Sequence, residues 1–439
     1  MSSARVIIVG AGVFGLTAAL EIKRRGHEVL LLDQGAIPHP LAASTDISKV
    51  VRMEYGADAT YMALAEAAIA GWRHWNEHWQ RSGNSELYHE TGVLMMSLDE
   101  MAPGGFEYES FHLLEARGHQ PERLGGAELA DRFPAWTLAF SDGFFHPRGG
   151  FVESGRVIET LAEVAREQGI EVRENTALES LLETGDRVLG VRDAHGDCHE
   201  GDHVILATGS WTPRLFGRLE GALRRTYHPV WHLSPPRHSM PALFAPLSFP
   251  TFTADVARTG FYGFPLHPRA GVIKIGHHGS GLEPPEDGSL EVSPEATVQL
   301  RAFLDRYFPS LAAAEVVGTR LCPYCDTTDE DFWIANDPDR RGLTVASGGS
   351  GHGFKFAPIL GRVIADVADV SDVADDAETR EVEQATNASA LMTQSLADKF
   401  RWRPELRLDR GLEAARCHES VTRDMNSSPG DRRPPHVAR

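Results

Sequence analysis

A glycine-rich turn near the start of the chain limits the possible folds more than any other feature of the sequence. Gly10-Ala11-Gly12-Val13-Phe14-Gly15 follows a run of β-branched residues and precedes apolar residues at helical spacing. The first glycine permits a tight turn, the second lets a pyrophosphate approach the backbone, and the third lets the helix pack against the strand. A second predicted strand, Glu28 to Leu32, ends at Asp33, whose carboxylate can accept hydrogen bonds from ribose hydroxyls. The pattern therefore predicts a βαβ unit that binds a dinucleotide.

Similar buried strands return late in the chain, which indicates one cofactor domain assembled from separated segments. His203 to Leu206 leads into Ala207-Thr208-Gly209, and Leu343 to Ser347 leads into a second glycine-rich run. The sequence from about Trp211 to Ala314 is rich in proline, aromatic residues and short alternating runs, as in an antiparallel sheet. The predicted fold class is α/β (α+β overall), with a Rossmann-like domain and an antiparallel-sheet substrate domain.

The domain bounds predicted from this pattern are discontinuous. The cofactor domain takes residues 1–80, 146–215 and 325–385, and the substrate domain takes residues 81–145 and 216–324. Residues 393–439 carry many arginines and no sustained apolar period, so we expect a flexible basic tail.

Composition limits the partners and the compartment. The chain has 439 residues and a formal net charge of -19, which disfavours nucleic acid and anionic membranes. No apolar stretch approaches the roughly 20 residues of a spanning helix, and the first strand begins too early for a signal peptide. Cysteines number only 4, too few for a disulfide framework. We expect a soluble cytoplasmic protein, monomeric or weakly associated.

Three further segments make a family resemblance specific. They are Ser44 to Gly56, then Tyr262-Gly-Phe-Pro with Ile273 to His278, and finally Cys322-Pro-Tyr with Gly349 to Phe356. Their order and spacing resemble monomeric sarcosine oxidase and its relatives in the D-amino-acid-oxidase-like (DAO) superfamily of FAD-dependent oxidoreductases. Those relatives include N-methyl amino acid, pipecolate and fructosyl amino acid oxidases. The resemblance covers roughly residues 4 to 372 and implies FAD as the cofactor.

The resemblance implies roles for five side chains in amine oxidation. Arg52 and Lys355 match the family's arginine and lysine that hold the substrate carboxylate, and a guanidinium fork suits that task. Lys274 matches the lysine that promotes the reaction of reduced flavin with oxygen. A lysine in an apolar strand is costly unless it has a task, although an outward-facing strand lysine is the alternative. Tyr262 and His278 match residues that line the substrate cavity.

Cys322 matches the cysteine that carries FAD covalently in this family, so covalent attachment there is implied. Cys322-Pro-Tyr-Cys325 also suits a zinc site, but zinc would need two more ligands at recognisable spacing, and no second pair follows. Cys325 is then a packed neighbour or an alternative attachment point. We predict no metal site.

The full set of predicted cofactor-binding residues follows the motifs above. It comprises Gly10, Gly12, Val13, Phe14, Gly15, Asp33, Gln34, Ser44, Thr45, Lys49, Thr208, Gly209, Cys322, Gly349, Gly351, His352, Gly353, Phe354 and Lys355. Thr45 and Lys49 stand where sarcosine oxidase has histidine and arginine, which brings this loop closer to fructosyl amino acid and pipecolate oxidases.

The predicted function is FAD-dependent oxidation of a small secondary amine or N-substituted amino acid to an imine, with reoxidation by oxygen to hydrogen peroxide. Three alternatives stay open at this point. One is an amine dehydrogenase that uses another electron acceptor. The second is an RNA-modifying flavoprotein whose basic tail binds nucleic acid, although the acidic body makes this less favourable. The third is a flavin-binding protein without catalysis.

Overall fold

The computed structural model describes residues 3–137, 139–236, 241–279, 281–283, 290–370 and 394–406. Within these ranges the strands are β1 (Arg5–Val9), β2 (Glu28–Leu32), β3 (Lys49–Val51), β4 (Tyr88–His89), β5 (Val93–Ser97), β6 (Glu122–Arg123), β7 (Asp142–His146), β8 (Gly150–Val152), β9 (Glu171–Arg173), β10 (Leu178–Thr184), β11 (Arg187–Asp193), β12 (Cys198–Glu200), β13 (His203–Leu206), β14 (Leu223–Ser234), β15 (Thr251–Ala254), β16 (Phe261–Leu266), β17 (Ile273–His277), β18 (Glu315–Thr327), β19 (Trp333–Asn336) and β20 (Leu343–Ser347).

The same ranges contain α-helices and short 3-10 turns. The helices are α1 (Val13–Arg24), α2 (Ala59–Arg81), α3 (Phe106–Ala116), α4 (Gly126–Arg132), α5 (Ser154–Glu167), α6 (Thr212–Leu215), α7 (Val256–Thr259), α8 (Pro294–Tyr307), α9 (Ala357–Val367) and α10 (Gln394–Phe400). The 3-10 turns are Gly209–Trp211, Gly217–Leu219, Pro241–Phe244 and Phe354–Phe356.

A six-stranded sheet in the order β19-β20-β13-β1-β2-β9 forms the first layer. Its neighbouring strands are parallel except for β19, which is antiparallel to β20. In β1 and β2 the last four residues are buried, as expected of strands covered on both faces. Helix α1 connects β1 to β2, so the predicted βαβ unit is confirmed.

Helix α9 packs directly on α1 and closes one face of this layer. A Cβ atom on Gly361 of α9 would lie 2.1 Å from the Thr17 carbonyl oxygen of α1, so only glycine allows the two backbones to come this close. The contact matters for the site because α9 follows directly after the glycine-rich run that ends at Phe356. It therefore fixes that run against the start of α1.

An eight-stranded sheet in the order β18-β14-β17-β16-β15-β5-β7-β6 forms the second layer. Its neighbours are antiparallel except for β15 and β5, which are parallel. One face packs under α8 through an aromatic cluster that includes Phe252 and Phe308. The predicted mixed architecture is confirmed. Strand β18 runs through the predicted domain boundary at residue 325, and the boundaries themselves stay a prediction.

The tryptophan row of α2 belongs to the core, as its helical spacing predicts. Trp72 is fully buried and Trp79 is nearly so, while Trp75 packs against them at the margin. The indole nitrogen of Trp72 donates a hydrogen bond to the carbonyl oxygen of Lys355 at 2.7 Å. The row therefore also supports the backbone of a predicted site residue.

Residues 394–406 do not belong to the flexible tail predicted from residue 393. Leu396 and Phe400, both on α10, are 1% exposed, and Phe400 packs against Phe332 and Tyr61. Arg403 is 2% exposed and forms a bidentate ion pair with Asp329. Two apolar residues one helical turn apart are enough to hold this segment, and so short a pattern is hard to read from sequence. The remainder of the predicted tail, 407–439, lies outside the described residues.

Candidate active site

A deep cleft opens along the carboxyl ends of the parallel strands, where ligands bind in folds of this type. It contains about 1110 Å³ of empty space. Most of the predicted cofactor residues line it: Gly10, Gly12, Val13, Phe14, Asp33, Gln34, Ser44, Lys49, Thr208, Gly209, Gly349, Gly351, Gly353 and Phe354. Residues from the start, the middle and the end of the sequence thus form one wall, which agrees with a single assembled cofactor site.

The glycine-rich turn has the geometry that a pyrophosphate requires. Gly10 has φ +104°, and a Cβ atom there would lie 2.4 Å from the Ala207 carbonyl oxygen. At Gly12, by contrast, a Cβ atom would meet only the Ser44 hydroxyl at 3.2 Å, so the backbone faces the open cleft. Gly15 lies behind the turn, where its missing side chain lets α1 pack against Gly10. A phosphate can therefore reach the helix N-terminus at Gly12.

Asp33 is oriented for a ribose. Its two carboxylate oxygens accept hydrogen bonds from the Ala11 and Gly35 backbone nitrogens, at 2.7 and 3.0 Å. The side chain is buried, and this burial raises its pKa despite the two hydrogen bonds. Each oxygen retains a lone pair on the cleft side, where Asp33 forms part of the wall. The residues present therefore fit an adenine dinucleotide, with ribose at Asp33 and phosphates at Gly12.

The late glycine run allows aromatic rings to approach the backbone. A Cβ atom on Gly351 would lie 2.1 Å from the Tyr324 ring, and one on Gly353 would lie 2.9 Å from Phe14. Glycines in such a run leave room for a flat ring or a phosphate beside the backbone. The rings that the structure brings against it are the protein's own, and both also line the cleft.

Five predicted cofactor residues do not line the cleft: Gly15, Thr45, Cys322, His352 and Lys355. Cys322 is 1% exposed and accepts a hydrogen bond from the Lys49 ammonium group at 3.4 Å. Cys325 lines the cleft instead and accepts a hydrogen bond from the Ser347 hydroxyl at 3.4 Å. On an extended strand, residues three apart face opposite sides, so the two sulfur atoms cannot chelate one ion from β18. Among the described residues, no group of three or more metal-binding side chains occurs.

Arg52 and Lys355 both lie next to Tyr55. The Arg52 guanidinium carbon lies 5.0 Å from the centre of the Tyr55 ring, and the Lys355 nitrogen lies 5.1 Å from it. Lys355 donates hydrogen bonds to the Tyr55 hydroxyl at 2.8 Å and to the His352 carbonyl at 2.9 Å. Burial, and then the nearby Arg52 charge, hold the pKa of Lys355 well below its usual value. Tyr55 lies in the motif that carried the resemblance, but sequence reasoning gave it no role.

A buried hydrogen-bonded pair, Glu54 and His146, lies next to the segment that carries Arg52. Glu54 is fully buried and accepts a hydrogen bond from His146 at 2.8 Å when the imidazole carries a proton on Nδ1. Burial alone would raise the pKa of Glu54, but the hydrogen bond and charge of His146 outweigh it and lower that pKa. This pair fixes the backbone between Arg52 and Tyr55, and the sequence gave no signal for it because His146 is remote in the chain.

Lys274 lies in a buried ion pair. Its ammonium nitrogen is 2.6 Å from Oδ2 of Asp46 and 2.5 Å from the Ser48 carbonyl oxygen. Both side chains of the pair are 2% exposed. Burial lowers the pKa of Lys274 to about 8, and Asp46 opposes that effect. The alternative of an outward-facing strand lysine is therefore wrong.

Tyr262 and His278 lie beside an aromatic stack. Tyr324 and His228 stack with ring centres 4.0 Å apart, and His278 lies 5.5 Å from His228. The Tyr262 ring lies over Gly276, where a Cβ atom would come within 2.5 Å of it. Burial, followed by the positive charge of Arg52, lowers the pKa of His278 to about 4. His278 is therefore neutral at physiological pH and close enough to Arg52 for the two to interact.

Comparison with known proteins agrees with this geometry. The family model for FAD-dependent oxidoreductases of the DAO type matches residues 5–367. The chain belongs to this family. It is an FAD-dependent oxidoreductase of the sarcosine-oxidase-like group, as the sequence analysis predicted.

Individual relatives are distant. Monomeric sarcosine oxidase of Bacillus sp. (strain B-0618) is 28% identical over 367 residues, which cover 82% of this chain and 91% of the relative. L-saccharopine oxidase of Schizosaccharomyces pombe is 28% identical over 401 residues, covering 83% and 89%. The structure of fructosamine oxidase (amadoriase II) from Aspergillus fumigatus aligns with a TM-score of 0.74 and 21% identity, covering 92% of this chain and 90% of that one. The fold is the same, and the relatives named here are oxidases of amines or amino acids.

Proposed function

We propose that this oxidoreductase acts on the C–N bond of a small secondary amine or N-substituted amino acid and forms an imine. The observation that carries the proposal is the pair of cations next to Tyr55, of which Lys355 is buried and Arg52 is partly buried. In the described part of the chain, neither Arg52 nor Lys355 has an ion pair with a carboxylate, and one guanidinium nitrogen of Arg52 has no hydrogen-bond partner. The Glu54 carboxylate acts on both cations electrostatically, but its ion pair is with His146, and a buried charge without a directly paired carboxylate is costly. A substrate carboxylate would compensate them.

The neighbouring groups suit an amine that must lose a hydride as the neutral base. His278, being neutral, can accept a hydrogen bond from the substrate N–H, and Tyr262 lies near it. FAD, when bound, accepts the hydride from the carbon next to nitrogen. The nitrogen loses a proton, and oxygen takes up two electrons and two protons and leaves as hydrogen peroxide. Printed names of relatives that act on sarcosine, saccharopine and fructosamine support this substrate class.

The proposal is tested by anaerobic spectra of the purified protein against N-methyl, cyclic and fructosyl amino acids, and against the amide of each active compound. We expect bleaching by one class. Lys355→Met and Arg52→Gln should weaken binding of the carboxylate form by about 2–4 kcal/mol, on the order of a hundredfold. Binding of the uncharged amide should change little.

A matched control for these variants is Arg117→Gln, which breaks an ion pair with Glu66 away from the cleft. It should leave both affinities unchanged. If the variants weaken binding of the carboxylate and of the amide equally, Arg52 and Lys355 do not hold the substrate carboxylate. If no amine bleaches the flavin, the proposed reaction is wrong.

Oxygen as the electron acceptor rests on Lys274. A fixed cation near the flavin stabilises the negative charge that develops on oxygen as it is reduced. Lys274→Met should therefore slow reoxidation by oxygen while anaerobic reduction by the amine is retained. Unchanged reoxidation in this variant would favour a dehydrogenase that uses another acceptor.

Covalent attachment of FAD at Cys322 is a second part of the proposal. Its support is the position of Cys322 in the matching motif and the Lys49 ammonium group beside the sulfur. Acid precipitation of the protein separates covalent from free flavin. We expect yellow colour in the pellet of the wild type and of Cys325→Ser, and in the supernatant of Cys322→Ser. The reverse pattern would assign the tether to Cys325, which lines the cleft.

Three earlier expectations stay predictions. They are a cytoplasmic location, a monomeric or weakly associated state, and the lack of nucleic-acid or membrane partners. Within the described ranges, no helix has the length and apolar character that crossing a membrane requires.

A further inference from the structure

Asp46 contacts three parts of the molecule through its carboxylate and its backbone carbonyl. It lies in the loop before β3, and its Oδ2 atom accepts a hydrogen bond from Lys274 on β17 at 2.6 Å. Its Oδ1 atom lies 3.5 Å from Nε2 of His232 on β14. The Asp46 carbonyl oxygen accepts hydrogen bonds from the backbone nitrogen of Gly155 and the hydroxyl of Ser154, at 2.9 Å each. Main chain and side chain are therefore both fixed.

Lys274 is held in one direction by its surroundings. The recorded hydrogen bonds use two of its three N–H groups, one to Asp46 and one to the Ser48 carbonyl. Its nitrogen also lies 4.8 Å from the centre of the Phe264 ring. Within the described ranges, the third N–H group has no acceptor in the protein.

The other titratable groups near this pair come from each neighbouring element. Lys49 lies 3.9 Å from Asp46 and carries a like charge to Lys274. Cys322 on β18 and Tyr262 on β16 also act electrostatically on the pair, and His232 faces Asp46 from β14. One aspartate thus faces two lysines in a region where Lys274 is 1% exposed.

We propose that Asp46 is the positioning residue for Lys274: its carboxylate keeps the buried ammonium group protonated and fixes the direction of its free N–H bond. The inference rests on the proposed function, in which Lys274 serves the reaction with oxygen. It adds a residue for which the sequence analysis gave no role.

The physical reason is the balance of burial and charge at Lys274. Burial is the largest influence and lowers the pKa of Lys274, whereas Asp46 raises it. Removing the carboxylate leaves burial and the Lys49 charge, which lower the pKa of Lys274, and only the smaller effect of Cys322 to raise it. A lysine is protonated below its pKa, so the variant loses the cation at a lower pH than the wild type. Above the pKa, each unit of decrease lowers the protonated fraction about tenfold.

The first experiment measures the pH dependence of flavin reoxidation by oxygen in the full-length holoprotein. We expect a wild-type rate that falls above about pH 8, from the pKa of Lys274. In Asp46→Asn the midpoint should move down by about one pH unit or more, which lowers the rate near pH 8 about fivefold or more. Asp46→Glu keeps the charge and should keep the midpoint. Asp142→Asn, which removes another buried aspartate with an arginine partner, should also keep it.

An unchanged midpoint in Asp46→Asn overturns the inference. The anaerobic reduction of the same variant by the amine separates this result from failure of the proposed function. If no amine reduces the wild type or any of the variants, the proposed reaction is wrong. If reduction is normal and only reoxidation fails to shift, the role of Asp46 is wrong.

The second experiment needs neither turnover nor oxygen. Urea unfolding compares wild type, Asp46→Asn, Lys274→Met and the double variant. Because the double variant leaves neither charge of the pair unbalanced, we expect it to unfold at a higher urea concentration than Asp46→Asn. A folded double variant beside an Asp46→Asn that fails to fold supports the pair as well. Additive losses, or a double variant that also fails to fold, contradict it.

Discussion

Two buried lysines in the site have opposite environments. Lys274 is paired with Asp46 at 2.6 Å, whereas Lys355 has only neutral partners, the Tyr55 hydroxyl and the His352 carbonyl. Both are almost fully buried, at 1% and 4% exposed. Lys355 also has Arg52 as a like-charged neighbour, which contributes to its lowered pKa.

The difference indicates which lysine already has a paired carboxylate in the absence of a ligand. A buried cation that already has a carboxylate partner is part of the finished structure, so a ligand need not bring a negative charge to it. Lys355 is buried and Arg52 is partly buried, and neither has a carboxylate at ion-pair distance in the described ranges, so a substrate carboxylate would compensate their charge on binding. We therefore infer that Arg52 and Lys355 select the substrate, and that Lys274 carries its charge below its pKa of about 8 without a charged ligand.

The largest expected effect compares the stabilities of two methionine variants. Lys274→Met leaves the Asp46 carboxylate buried, with Lys49 at 3.9 Å and His232 at 3.5 Å as partial substitutes. We expect it to lower the free energy of unfolding by about 3 kcal/mol. Lys355→Met removes an unbalanced charge together with two hydrogen bonds, so these effects offset and the change should stay within about 1 kcal/mol.

Urea unfolding of the substrate-free protein measures both variants. The pKa of Lys355 is lower folded than unfolded, so between these two values the unfolded state binds more protons. Wild-type stability therefore gains from this group as pH rises, and Lys355→Met should lack that gain. Equal losses in the two variants would remove the distinction between the two lysines.

The second expected effect concerns protons taken up when substrate binds. Because the pKa of Lys355 is lowered in the free enzyme, this lysine loses its proton at a lower pH than an exposed lysine, and a carboxylate binds the protonated form. Binding should therefore take up protons, and affinity should fall up to about tenfold per pH unit above that pKa. Calorimetry in buffers of different ionisation enthalpy measures the uptake.

Two arginine variants sharpen this test. Lys355→Arg should abolish the uptake from this position because a guanidinium group stays protonated. Lys274→Arg should leave it unchanged, since Asp46 already compensates that position. Uptake that disappears in Lys274→Arg and persists in Lys355→Arg would reverse the assignment of the two lysines.

The parts of the site that the sequence predicted are those set by local backbone geometry. The turn from Gly10 to Gly15 requires glycines at fixed spacing, and the strand and helix beside it have short, clear patterns. The resemblance predicts that Arg52, Lys274 and Lys355 belong to one site, and the electrostatic contacts of His278 show Arg52 and Lys355 near each other.

The parts that were missed depend on contacts between residues far apart in the sequence. Asp46 meets Lys274 across 228 positions, and Tyr55 meets Lys355 across 300. Asp46 and Tyr55 both lie inside the motif that carried the resemblance, so a signal existed, but nothing local says which partner a polar side chain will find. Residues 394–406 were missed for a related reason, because their burial depends on Phe332 and Asp329 rather than on their own pattern.

The smallest expected effect tests how Trp72 supports the backbone at Lys355. Trp72→Phe removes the hydrogen bond from the indole to the Lys355 carbonyl and leaves that oxygen without this partner in the core. We expect a loss of about 1–2 kcal/mol in the free energy of unfolding and a few-fold weaker carboxylate binding. Trp75→Phe is the matched control, since Trp75 lies on the same helix at the margin of the core. If both variants weaken carboxylate binding equally, the effect comes from the packing of α2 and not from support of Lys355. A loss confined to Trp72→Phe would show that the position of Lys355 depends on a fixed backbone, whereas Lys274 is held by the Asp46 carboxylate.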